Sequence, residues 1–219
     1  EAAPDKNENS SSVEEMQDQL SKFLEEGIDS CTSELLNKRA KQIGIAPCAY
    51  AALDIALWDW KAKKVQRPLH QLLGLPRPSV PTSITLGIIP PDQVKERIRL
   101  LFQNSSAKAL KIKLGSSQGI GADKEMFERV LESTQKLELK IRVDANGGWS
   151  TKEAINMMKW LADRGVEYIE QPLKEGQESE LQYLYPNRPM PIFIDESCRF
   201  AEDVGLSLIH ISEPTRPID

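Results

Sequence analysis

Ile141-Arg-Val-Asp144-Ala-Asn146, Glu167-Tyr-Ile-Glu170-Gln-Pro172 and Ile192-Phe-Ile-Asp195-Glu-Ser197 are three short apolar runs, each ending in a carboxylate. The carboxylates lie 26 and 25 residues apart, the length of one strand-loop-helix-loop unit. Each run has the β-branched and aromatic content of a strand buried on both faces. Between the first two, Ser150 and Glu153 form a capping box, and Ala154, Ile155, Met158 and Leu161 follow at helical spacing. Strands alternating with helices at this period predict parallel βα units, which bring the three carboxylates to one C-terminal rim.

Three clustered anions repel one another unless a cation joins them. Ligation by oxygen alone suits a hard divalent ion, and magnesium best, because it binds through a few carboxylates and keeps positions for water or substrate. A single Asp at a strand end reads more simply as a loop cap or an ion-pair partner; three in register argue for the metal. Asp144, Glu170 and Asp195 are therefore the candidate ligands.

One unit earlier the period continues with Ala109-Leu-Lys111-Ile-Lys113-Leu-Gly115. Strand alternation points Lys111 and Lys113 to one side and Leu110, Ile112 and Leu114 to the other. Two lysines on one buried face beside a metal-binding rim are expected to depress each other's pKa, as a lysine base near neutral pH requires. A solvated basic face on an edge strand is the competing reading of Lys-x-Lys.

With 40% hydrophobic and 28% charged residues, the 219-residue chain has ordinary globular composition. A net charge of −5 provides no electrostatic footprint for nucleic acid or for an anionic membrane surface, and no apolar run is long enough to span a bilayer. Cys31, Cys48 and Cys198 are odd in number and unpatterned for zinc, which points to reduced thiols and a cytoplasmic setting. His70 and His210 have no partner at ligand spacing.

Toward the N-terminus, Ser12 and Glu15 make a second capping box before a helical stripe of Val13, Met16, Leu20, Phe23 and Leu24. A further helix is expected over about 31–42. Pro47 starts another, apolar nearly all round from Ala49 to Lys63 and hence expected to be buried, with Trp58 and Trp60 as core or interface anchors. Pro76, Pro78 and Pro81 mark the best domain boundary. Beyond it five βα units begin near residues 84, 110, 141, 167 and 192. The fold class is α/β, a partial (β/α)8 barrel preceded by the helical part of an α+β capping domain. The expected division is 1–80, 81–204 and a tail of 205–219.

Lys-Ile-Lys113, Val-Asp144-Ala-Asn-Gly-Gly-Trp149, Ile-Glu170-Gln-Pro and Asp195-Glu-Ser, in this order and at this spacing, resemble the enolase superfamily. The likeness is to the branch holding muconate cycloisomerase, o-succinylbenzoate synthase and the dipeptide epimerases. Ala51-Ala-Leu-Asp54-Ile-Ala-Leu-Trp58-Asp and Pro68-Leu-His-Gln-Leu-Leu-Gly74 are similar to its helix between cap and barrel. The resemblance implies abstraction of a proton alpha to a carboxylate through a magnesium-stabilised enediolate. It implies Asp144, Glu170 and Asp195 as metal ligands, Lys113 as general base, Lys111 as its tuning neighbour and Asn146 as an outer support of Asp144. A plain turn-forming Asn146 stays open.

Pro81-Thr-Ser-Ile-Thr-Leu-Gly-Ile88 resembles the first barrel strand of the dipeptide epimerases, so a magnesium-dependent isomerase acting on a small-molecule dipeptide is the leading expectation. A cycloisomerase or o-succinylbenzoate synthase is the alternative within the superfamily. A non-catalytic, decayed relative is the alternative outside it, and a homo-oligomer is allowed by either. Glu1-Ala-Ala-Pro4 resembles the end of a cap strand, and Ser207 to Asp219 carries no lysine where the family's second base is due. The sequence accordingly reads as a fragment expected to be inactive alone.

Overall fold

A computed structural model describes residues 12–25, 27, 33–79, 82–198 and 203. The chain divides into two compact units, Glu1–Ser79 and Val80–Asp219. The readings made for the first eleven residues, Cys31, His210 and the 205–219 tail lie outside the described residues.

The first unit is helical. Its elements are α1 (Val13–Glu25), α2 (Ser33–Ile43), α3 (Pro47–Lys64) and α4 (Leu69–Leu72). Ser12 caps α1 by accepting the Glu15 N–H at 3.2 Å. Met16 and Phe23 of α1, Leu36 and Ala40 of α2, and Ile45, Ala46 and Ala49 at the start of α3 form the buried cluster. Within α3 only Ala49 and Ala62 are buried, and Ile55 and Trp60 are about half exposed. The expectation of a wholly buried helix is thus corrected: Ala49 is buried in the cluster and Leu53 and Leu57 pack partly buried against it, while Ile55 and Trp60 stay exposed. Trp58 and Trp60 are not core anchors of this unit; Lys61 and Lys64 lie over their rings, each at 4.7 Å.

The second unit runs β1 (Ser83–Leu86), α5 (Val94–Phe102), β2 (Ala109–Lys113), α6 (Ile120–Thr134), β3 (Lys140–Asp144), α7 (Thr151–Ala162), β4 (Val166–Glu170), α8 (Leu181–Leu184) and β5 (Ile192–Phe193). The strands form one sheet in the order β1-β2-β3-β4-β5, with every pairing parallel. This is the expected partial (β/α) barrel, with strands at all five sites read from the sequence. The capping box at α7 is complete, since the Ser150 side chain accepts from the Glu153 N–H and the Glu153 carboxylate accepts from Ser150. Leu110, Ile112 and Leu114 are fully buried against Met126, Phe127 and Val130 of α6. At about 25 cal/mol per Å² of apolar surface, that seam is a principal stabiliser of the unit.

Burial on both faces holds for β3, where Ile141 to Asp144 are all buried. It does not hold for β2 and β4, whose opposite face carries Lys111, Lys113, Tyr168 and Glu170, all partly exposed. Those charged and phenolic groups keep contact with water because burying them costs more than the strand gains. β5 is a two-residue edge strand. Among the described residues no helix is long and apolar enough to cross a membrane.

Candidate active site

Parallel register sets the site. Lys113 pairs with Asp144, and Asp144 pairs with Glu170, so these three residues form one row across the C-terminal ends of β2, β3 and β4. Glu170 pairs in turn with Phe193, which places Asp195 just past the end of β5. Alternation returns Lys111, two residues before Lys113, to the same side of the sheet.

The side chains meet as an ion-pair cluster. Lys111 Nζ donates to both oxygens of Glu170, at 2.9 and 3.1 Å, and lies 3.8 Å from Asp144 Oδ2. Lys113 Nζ is 3.2 Å from the same Asp144 oxygen and donates to Asn146 Oδ1 at 3.3 Å. Asp144 is 1% exposed. Its carboxylate also accepts the Asn146 backbone N–H at 3.0 Å and the Asn146 side-chain amide at 3.2 Å. A buried charge is tolerated when it is this fully partnered.

Asn146 has φ 46°, in the left-handed region that Asn enters more readily than most residues. Its amide also donates to Glu196 Oε1 at 3.2 Å. Lys113, Asn146 and Glu196 are thereby linked across three strand ends. Glu196 stands inside the Asp-Glu-Ser stretch, but sequence reasoning selected only its neighbour Asp195.

The pKa expectation is corrected for Lys111. Burial pulls its pKa down, but the hydrogen bond and charge of Glu170, followed by the charges of Asp144 and Tyr168, hold it above the ordinary value of 10.5. The paired carboxylate decides the direction, because both Glu170 oxygens accept from the ammonium.

Asp123, 2% exposed on α6, holds the rim together from below. It accepts the Gly115 and Ser116 N–H groups at 3.0 and 2.9 Å and the Trp149 indole N–H at 2.9 Å. It thus fastens the loop after Lys113 to the loop after Asp144. The same two loops touch backbone to backbone: a Cβ on Gly148 would sit 2.4 Å from the Gly115 Cα. Asp123 went unnoticed in the sequence, where its only signal is a lone acid in the first turn of a helix.

The donor set fits a hard divalent cation chemically, being anionic and all oxygen. Asp144 and Glu170 are brought together; Asp195 is exposed beyond β5. Among the described residues no three His, Cys, Asp or Glu side chains are gathered into a metal-binding group, since the two paired carboxylates are turned onto lysines. A groove of about 640 Å³ between α5 and α6, lined by Arg99, Phe102 and Glu132, touches none of these residues.

Comparison with known proteins follows the same line. Residues 93–206 match the Enolase C-terminal domain-like family, and residues 6–74 match the Mandelate racemase / muconate lactonizing enzyme, N-terminal domain. The chain is 53% identical over 211 residues to a hydrophobic dipeptide epimerase of Flavobacteria bacterium (strain MS024-2A), covering 96% of this chain and 60% of that protein. It is 50% identical over 205 residues to a hydrophobic dipeptide epimerase of Roseobacter litoralis, covering 94% and 59%. The crystal structure of the dipeptide epimerase from Enterococcus faecalis V583 complexed with Mg and the dipeptide L-Leu-L-Tyr superposes with a TM-score of 0.79 at 32% identity, covering 95% of this chain and 58% of that one. The chain therefore spans about 60% of the length of the curated relatives it matches. On these matches and this architecture, the chain belongs to the enolase superfamily, in its mandelate racemase and muconate lactonizing enzyme branch.

Proposed function

We propose that this chain carries the metal-binding and proton-abstracting side of a magnesium-dependent dipeptide epimerase, with residues 1–80 on the capping side and 81–204 on the barrel side. The observation that carries the reading is the row Lys113, Asp144 and Glu170, with both lysine ammonium groups within 3.8 Å of a carboxylate oxygen. The names of the relatives support dipeptides with apolar side chains as the small-molecule substrate.

Asp144, Glu170 and Asp195 would hold the ion. Bound there, magnesium supplies positive charge against the substrate carboxylate and lowers the cost of the negative charge that develops beside it. In its neutral amine form Lys113 would take the proton from the carbon alpha to that carboxylate, becoming the ammonium, while the C–H electron pair passes into the carboxylate group. Lys111 adds a second positive charge beside Asp144. Asn146, which accepts from Lys113 and donates to Asp144, fixes the base relative to the acid. Inversion needs a second base on the opposite face of the planar carbon, whereas exchange of the proton with solvent needs one base alone.

The test therefore reads exchange. The chain is incubated in D2O with magnesium and a panel of apolar dipeptides, and deuterium at the carbon alpha to the carboxylate is measured by mass spectrometry. The expected result is one deuteron per molecule without inversion, so no epimerisation by this chain alone, with the exchange lost on chelation and with Lys113→Ala. No exchange across the panel, with magnesium binding by calorimetry unaffected by Asp144→Asn, overturns the reading.

A further inference from the structure

Gln171 follows Glu170 in sequence and is 2% exposed, yet it has no place in the proton transfer or the ion-pair cluster. Its carboxamide uses every hydrogen-bonding position it has. Oε1 accepts the backbone N–H of Asp195 at 3.0 Å and of Ser197 at 3.2 Å. Nε2 donates to the Leu173 carbonyl and to Ser197 Oγ, both at 2.8 Å. The orientation is fixed by these partners, because a reversed amide would set NH2 against two N–H donors. The main chain of Gln171 makes two further ties: its N–H donates to the Phe193 carbonyl at 2.9 Å, and its own carbonyl accepts from Gly147 at 2.8 Å. Its φ of 38° lies in the left-handed region that non-glycine residues seldom adopt. Such a conformation persists where surrounding bonds over-determine it.

We propose that Gln171 is a positioning residue that fixes the Asp195–Ser197 turn against the end of β4, and so sets the place of the Asp195 carboxylate relative to Glu170. The role rests on the reading of Asp195 as a metal ligand. The geometry selects glutamine: Glu cannot donate to Leu173 and Ser197, Asn is one carbon short of both loops, and Leu makes none of the four bonds. The turn it holds has no regular structure beyond the two residues of β5, so these bonds substitute for a strand's ladder.

Two measurements on the full chain test the role. Amide hydrogen exchange reads the turn directly: Gln171→Leu is expected to lose at least tenfold protection at Asp195 and Ser197 while Leu110 and Val143 keep theirs. Gln171→Glu, which keeps both acceptor bonds, loses less and guards against a variant that fails to fold. Calorimetric titration with Mn2+ reads the consequence for the ligand. Gln171→Leu weakens affinity by about 10–100-fold, the usual effect of removing a support of a metal ligand, and Asp195→Asn added to it weakens affinity little more. Unchanged protection at Asp195 and Ser197 overturns the proposal, as does unchanged Mn2+ affinity in Gln171→Leu where Asp195→Asn alone weakens it. If Asp195→Asn itself leaves Mn2+ affinity unchanged, the ligand reading falls, and the exchange measurement alone decides whether Gln171 holds the turn.

Discussion

Lys111 and Glu170, on strands separated by β3, meet as one ammonium held by both oxygens of one carboxylate, at 2.9 and 3.1 Å. The contact passes over Asp144 on the intervening strand, so three strands share one electrostatic knot. Its stability is conditional on charge, which makes it testable.

Lys111→Met removes the ammonium and leaves Glu170, whose side chain is 15% exposed, short of its main partner. The expected cost is about 1–3 kcal/mol in denaturant unfolding at neutral pH, and on the proposed metal site magnesium is expected to recover part of it by supplying the missing positive charge. Because the folded pKa of Lys111 is raised above 10.5, its contribution is fully present below that value and lapses only as pH rises through the folded one. The difference between the variant and the parent chain is therefore the same at neutral and mildly alkaline pH. A difference that disappears before the lysine range is reached would refute the assignment.

At the other end of the strands, Glu167 behaves in the opposite sense. The hydrogen bond from Lys140 and then that from Arg142 hold its pKa below the ordinary 4.5. A depressed carboxylate contributes stability that is present above its unfolded pKa and lost as pH falls through the folded one. Glu167→Gln is thus expected to be less stable than the parent at pH 7 and to converge with it in acid. Urea midpoints measured across the acid range check this, and parallel curves for the two proteins would contradict it.

Gly148→Ala puts a methyl group 2.4 Å from the Gly115 Cα. Neither atom is the end of a flexible side chain, so the loops after β2 and β3 must separate. Overpacking of this kind costs about 1–3 kcal/mol. The Trp149 indole, bonded to Asp123, moves with the loop, and near-ultraviolet circular dichroism should change along with the unfolding midpoint. A variant as stable as the parent, with the same spectrum, would show that the loops are not held in contact.

Much of this is legible in the sequence. The strands announce themselves through β-branched runs ending in acids, and the α7 start through Ser150 and Glu153, because both signals are local. The same locality explains what was missed. Gln171 acts through Asp195 and Ser197, and Asp123 through Trp149, partners 24 to 26 residues away, which no periodicity reports. The direction of the Lys111 shift depends on which groups its ammonium meets, a matter of side-chain placement rather than of spacing. In α3 an apolar composition suggested burial all round, but composition does not say which residues of a helix its neighbours cover.

The sheet adds each strand beside the one before it, from β1 to β5, and no strand is inserted between two that precede it. On a ribosome this order becomes a timetable. Each strand pairs with the one synthesised just before it, so no pairing in the sheet waits for a distant segment. The two lysines are synthesised first, Asp144 about thirty residues later and Glu170 one further unit on. Each of these two acids therefore follows in the chain the lysine it pairs with, so the row is written cation first and anion after.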